Sequence, residues 1–129
     1  MDNKPVVLVT RRLPAAVEQK LGERFTTLLN PEDRLYSSAE LLNLAAQADA
    51  ILPCHTEKFP ADTIAQLPVR VKAIANFSVG VDHVDLQAAA DKGIIVTNTP
   101  DVLSDATAEI AILLMLGAAR RAGEGERLV

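Results

Sequence analysis

Ser78, Val79 and Gly80 stand where a chain can most easily be arranged to hold an anion. The apolar run at residues 71–75 before them reads as a buried strand. Asp85 after them is a good N-cap for a helical pattern at residues 86–92. A strand therefore opens into a loop, and the loop feeds a helix N-terminus. Successive backbone N–H groups in such a loop are free to face an anion, and the helix dipole adds to the attraction. Gly80 lets the backbone turn sharply and come close to a ligand. The chemistry expected here is a grip on a small carboxylate by the amides of Val79 and Gly80, with Ser78 beside them. The plainer alternative is a strand-to-helix turn in which Gly80 supplies backbone freedom and nothing else.

Other residues invite chemistry and are weighed the same way. His83 is an acid–base candidate, but no carboxylate is placed against it by the sequence, so a structural or solvent-facing role is the expectation. Cys54 and His55 form a metal-like pair with no second pair to complete a site, so no metal is expected and His55 is read as lining a pocket mouth. Arg11 and Arg12 follow the first strand, where guanidinium groups either bind phosphate or carboxylate or form a solvated charge pair. Glu109 interrupts the apolar run 106–119 near a helix start, where Thr107 and free N–H groups also lie. Gly123-Glu124-Gly125 mimics the start of a dinucleotide fingerprint, but it follows no strand and lacks the last glycine.

These residues must be positioned by an ordinary globular chain. Its 129 residues are 49% hydrophobic and 23% charged, with a net charge of −4, and no basic cluster exceeds a pair. Nucleic acid and anionic membrane are not expected partners. A single cysteine suits a reducing cytoplasm, and residues 1–4 lack the layout of a signal peptide. The apolar run 106–119 is shorter than the ~20 residues a membrane span needs and reads as a buried helix.

Strand patterns at 6–9, 25–29, 50–52, 71–75 and 94–96 alternate with helical patterns. The helices are expected at 15–21 after Pro14 and ended by Gly22, at 38–45 from Ser38, at 60–66, at 86–92, and from a cap at Ser104 or Asp105 to 119. The expected fold class is α/β: a flavodoxin-like, doubly wound, five-stranded parallel sheet of order 2-1-3-4-5 with a long C-terminal helix. Ligands in such folds sit at the C-terminal ends of the strands, where loops 10–13, 54–58 and 77–82 converge.

Residues 76–85 and 91–103, extended by Thr107-Ala108-Glu109, Arg120-Arg121 and the opening Thr10-Arg11-Arg12-Leu13-Pro14, resemble the D-isomer-specific 2-hydroxyacid dehydrogenases, especially their glyoxylate/hydroxypyruvate reductase branch. The resemblance implies a substrate-binding domain over residues 1–121, with 122–129 starting the connection to a dinucleotide-binding domain. It implies that Val79 and Gly80 hold the carboxylate of a small 2-oxo acid, and that Leu103 and Thr107 touch the nicotinamide end of NAD or NADP. Neither histidine matches the family's catalytic histidine, and its catalytic arginine and glutamate have no match, so no catalytic residue is assigned. The chain is then expected to be a fragment without dehydrogenase turnover of its own, with self-association through an exposed apolar C-terminal helix. The competing expectation is a non-catalytic module that binds a small carboxylate or another protein.

Overall fold

Val6–Val9 form strand β1, and its last three residues are buried, as expected of a strand covered on both faces. The computed structural model describes residues 4–128. Residues 1–3 and Val129 lie outside it, and so do the readings of the extreme N-terminus and of the last residue. The strands that follow are β2 (Thr26–Leu28), β3 (Ala50–Leu52), β4 (Ala73–Ala75) and β5 (Ile95–Thr97). They form one five-stranded sheet in the order β2-β1-β3-β4-β5. Every pairing is parallel, with Val7 opposite both Thr27 and Ala50, Ile51 opposite Ile74, and Ile74 opposite Val96. The expected fold class and strand order are those observed.

Side-chain alternation along the strands divides the core in two. Leu8, Ile51, Ile74 and Ile94 face one side, where they pack with Leu41, Phe59, Ile64, Val84 and Ala89. These come from α2 (Ser38–Ala45), α3 (Ala61–Gln66), α4 (Leu86–Asp91) and the segments that lead into α3 and α4. Val7 and Val9 face the other side with Leu13, against Val17, Leu21 and Phe25 of and beside α1 (Ala15–Arg24).

Several boundaries differ from the sequence expectation for local reasons. Helix α1 runs through Gly22 to Arg24, and the Phe25 amide donates to Leu21 O at 2.9 Å before the chain enters β2. A helical glycine costs roughly 1 kcal/mol relative to alanine, and the packing of Leu21 and Phe25 on either side offsets it. Helix α2 starts at Ser38 as expected, and the residue before it, Ser37, is its N-cap. The Ser37 hydroxyl accepts from the Glu40 amide, and the Glu40 carboxylate accepts from the Ser37 amide, a reciprocal capping box. Asp85 caps α4 as expected, accepting from the Ala88 amide at 2.9 Å. Gly93 follows that helix at φ 73°, a left-handed position glycine takes without a Cβ penalty.

The chain forms two compact units, one through Thr99 and one from Pro100. The second unit carries α5 (Ser104–Ala119) and α6 (Ala122–Gly125). Neither Ser104 nor Asp105 caps α5. Leu103 occupies the cap position without a side-chain bond, and its carbonyl accepts from Thr107 N at 2.9 Å. None of the α5 side chains is buried, and Leu113, Leu114 and Met115 are each more than 60% exposed. The expectation of a buried helix is not met. Glu109 is exposed too, so its charge is hydrated and needs no protein partner. No helix among the described residues is long and apolar enough to cross a membrane.

Candidate functional site

Three loops meet at the C-terminal ends of β1, β3 and β4. The Arg11 guanidinium donates to Thr56 Oγ1 at 3.1 Å, tying the loop after β1 to the loop after β3. The Phe77 amide donates to Pro53 O at 2.8 Å, tying the loop after β4 to the same place. Both bonds form because short parallel strands end nearly level and leave backbone groups that must find partners locally.

The loop at 78–80 is held by its carbonyl groups. Ser78 O accepts from the Thr99 amide at 3.0 Å. Val79 O accepts from Asn98 Nδ2 at 2.7 Å. Gly80 O accepts from Ser78 Oγ at 2.8 Å. The three amides are a different matter: among the described residues, the N–H groups of Ser78, Val79 and Gly80 donate to no backbone or side-chain acceptor. Ser78 and Val79 are half-buried and Gly80 is exposed. A segment fixed through its acceptors, with its donors left over, is arranged to meet an external acceptor.

The Ser78 hydroxyl, expected only to lie beside the amides, donates its hydrogen to Gly80 O. Gly80 is outside the left-handed region; among the described glycines only Gly93 has a positive φ. A Cβ built on Gly80 would meet Asp82 Oδ2 at 3.3 Å, so glycine serves closeness of approach here and not the turn itself. Helix α4 adds little to the loop. It has only six residues, and the Asp85 carboxylate already sits at its N-terminus.

A groove of about 220 Å³ borders the loop, lined by Leu52, Ala75, Asn76, Phe77, Thr97, Asn98 and Thr99. Leu52, Ala75 and Phe77 give it apolar lining, and Asn76, Thr97, Asn98 and Thr99 give it polar lining.

Arg11 is not a free anion receptor. Its Nε and Nη2 donate to the two oxygens of Asp33 at 2.9 and 3.1 Å. The Arg12 amide donates to Asp33 as well, at 2.8 Å. These bonds, the Arg11 side chain first and the Arg12 amide second, hold the Asp33 carboxyl down at about 2. A depressed carboxyl stabilises the fold above its unfolded value of 3.8 and loses that contribution as pH falls toward about 2. Asp33→Asn is therefore expected to lower the urea midpoint at neutral pH, with its difference from the parent closing between about pH 4 and pH 2. A difference independent of pH would contradict the pairing.

Cys54 is half-buried, and desolvation pushes its thiol up, which keeps it protonated and unreactive at neutral pH. His55 is exposed. Among the described residues no three His, Cys, Asp or Glu side chains gather as metal ligands would. Glu57, unremarked in the sequence, is buried. Its Oε2 accepts from the Cys54 amide and from Thr56 Oγ1, both at 3.1 Å. These two bonds brace the loop after β3.

The sequence reading also passed over Asn76 and Asn98, the side chains that organise the loop. Asn76 is 4% exposed and His83 is 7% exposed, and their side chains meet at 2.8 Å between Oδ1 and Nε2. Asn98 enters the sequence reading only within residues 91–103, which carry the family resemblance, and no role is given to its side chain. An asparagine directly after a strand was the available signal, since its amide can bond neighbouring backbone where the ladder stops. Leu103 and Thr107 lie in the second unit at the start of α5, both exposed.

The chain is similar to known proteins over nearly its whole length. The sequence model of the D-isomer specific 2-hydroxyacid dehydrogenases, catalytic domain, matches residues 7–123. Glycerate dehydrogenase of Hyphomicrobium methylovorum is 39% identical over 127 residues, which cover 98% of this chain and 39% of that protein. A Polaromonas sp. JS6 66 structure assigned to the D-isomer specific 2-hydroxyacid dehydrogenases, NAD-binding, superimposes with a TM-score of 0.84 at 41% identity, covering 98% of this chain and 40% of that one. The NADPH-dependent glyoxylate/hydroxypyruvate reductase of Sinorhizobium meliloti, in complex with NADP and malonate, superimposes with a TM-score of 0.70 at 33% identity over 88% of this chain and 34% of that one. The chain thus spans about two fifths of the length of the curated relatives it matches. With a family match over residues 7–123 and a parallel sheet of the expected order, the chain belongs to the D-isomer specific 2-hydroxyacid dehydrogenases.

Proposed function

We propose that the amides of Ser78, Val79 and Gly80 hold the carboxylate of a small 2-oxo acid of the glyoxylate or hydroxypyruvate type. In this reading the chain is the substrate-binding part of an oxidoreductase that interconverts the oxo acid and its D-2-hydroxy acid. The observation that carries it is the division of labour in the loop: all three carbonyls are bonded within the fold, and all three amides are left over. A carboxylate is an acceptor-only group and satisfies such donors.

The chain's own contribution is binding and orientation. A carboxylate fixed by these amides has its carbon skeleton aimed in one direction, which lowers the entropy cost of bringing the reacting carbon to its partner. NAD or NADP supplies the hydride when bound, and Leu103 and Thr107 are the residues of this chain we assign to its nicotinamide end. Proton transfer is not assigned to His83, whose Nε2 is committed to Asn76, or to exposed His55. The 129 residues alone are accordingly expected to bind without turning over.

Magnitudes set the experiment. Two charge-assisted bonds are worth about 3–6 kcal/mol gross. Immobilising a small ligand removes much of that, leaving a Kd of about 1 mM or weaker. Low-affinity calorimetry should show heat of binding with glyoxylate and hydroxypyruvate and none with hydroxyacetone, which lacks the carboxylate. NADPH oxidation with either acid should stay at background. Equal binding of hydroxyacetone would remove the carboxylate from the account, and turnover by this chain would place a proton donor within it.

A further inference from the structure

The loop's shape is set by a bond that lies outside it. Asn76 directly follows β4 and His83 stands seven residues later, so their side-chain bond closes the segment 77–82 at its base. The partners' roles follow from chemistry. Asn76 Nδ2 lies 2.9 Å from Thr97 O, and a carbonyl oxygen accepts only. That fixes the amide nitrogen toward Thr97 and leaves Oδ1 toward the imidazole, so His83 donates from Nε2–H. The neutral tautomer with hydrogen on Nε2 is the one that satisfies all three groups.

Both ends of the closed segment are anchored in the sheet side of the fold. The Asn76 amide also donates to Thr97 O, at 2.9 Å. On the other side, His83 O accepts from the Phe59 amide at 2.7 Å, and the Asp85 amide donates to Phe59 O at 2.9 Å. The ring is buried at 7% exposure. Its titratable surroundings are Lys58, His55 and Glu57 from the loop after β3, with Asp82 and Asp85 on its own segment. Desolvation, with Lys58 and His55 next, holds the imidazole below its ordinary value, which favours the neutral ring at neutral pH.

We infer that Asn76 and His83 are a positioning pair. Their bond presets the 77–82 segment so that the three unpaired amides present themselves to a carboxylate before it arrives, and neither residue touches that carboxylate. The inference rests on the carboxylate reading for its functional consequence, but the loop order it describes can be measured without ligand.

His83→Leu removes the donor and leaves Asn76 Oδ1 buried and unpaired. His83→Gln keeps an N–H near the position of Nε2 and serves as the conservative control. In the ligand-free chain, hydrogen exchange of the Thr99 amide, which bonds Ser78 O, is expected to quicken about tenfold in His83→Leu. It should stay near the parent rate in His83→Gln. The Ile74 and Ile51 amides in the central strands should hold their parent rates in both, which separates a loosened loop from a weakened fold. Glyoxylate Kd should rise about tenfold in His83→Leu and recover in His83→Gln.

Unchanged Thr99 exchange in His83→Leu, or an equal quickening of Ile51 and Ile74, would overturn the inference. Normal loop order with no glyoxylate binding in the parent chain would count against the carboxylate reading instead. Imidazole ¹⁵N shifts of the unaltered chain supply a test that needs no variant. They should report hydrogen on Nε2 from pH 7 upward, and hydrogen on Nδ1 would overturn the assignment.

Discussion

Val79→Pro is expected to weaken glyoxylate binding by about ten- to a hundredfold while the chain stays folded. The substitution removes one N–H group. That N–H donates to nothing else among the described residues, so the fold loses no hydrogen bond with it. The carbonyl of Val79, which does hold the loop through Asn98 Nδ2 at 2.7 Å, is retained. A hydrogen bond to a charged acceptor contributes about 1.5–3 kcal/mol, and 1.4 kcal/mol is a factor of ten. Calorimetric titration of the parent and the variant measures the ratio, with thermal melting to show that both are folded. A Kd within a factor of two of the parent would mean that this amide does not meet the carboxylate.

Phe59→Ala is expected to be the most damaging single change to stability, at about 3–5 kcal/mol. Phe59 is fully buried and is the largest of the fully buried side chains among the described residues. It packs in the larger of the two core clusters with Ile51, Ile64, Ile74 and Val84. Its backbone bridges to Val84 in parallel fashion, so the cavity left by its ring would open beside the segment that carries His83. Domains of this size are stable by about 5–15 kcal/mol, so the loss is a large share of the total. Urea unfolding should show a lowered midpoint with little change in slope. A loss under about 1 kcal/mol would show that neighbours collapse into the space.

Much of the architecture was legible in the sequence because parallel strands buried on both faces have to be short, continuous and apolar. Residues 6–9 and 50–52 have that form and are strands at those positions. Their alternation with helical patterns left few topologies, and the observed order is the simplest of them. Helix ends were less legible. Gly22 is a helix breaker by propensity, yet tertiary packing of Leu21 and Phe25 carries α1 past it. Ser37 and Ser38 are equivalent by type, and only Glu40, three residues after Ser37, tells them apart.

At the site, the position of the loop was legible from the strand before it and the cap after it, since both are local signals. Its mechanics were not. Asn98 and Thr99 reach the loop from the end of β5, and Thr97 holds Asn76 from the same strand. Those contacts exist only once β4 and β5 are paired, so no local pattern announces them. Arg11 illustrates the same limit: its partner Asp33 is distant in sequence and sits at φ 52°. A conformation that a short polar side chain tolerates brings its carboxylate around to the guanidinium.

The central claim is that unpaired amides at residues 78–80 clasp a carboxylate, and the most direct measurement is a ¹H–¹⁵N titration of the chain with glyoxylate. The amide protons of Val79 and Gly80 should move downfield, saturably and together, at about millimolar ligand, while the Ile51 and Ile74 amides stay still. Amide signals at 78–80 that do not move at saturating glyoxylate, or that move no more than those of the core strands, would contradict it.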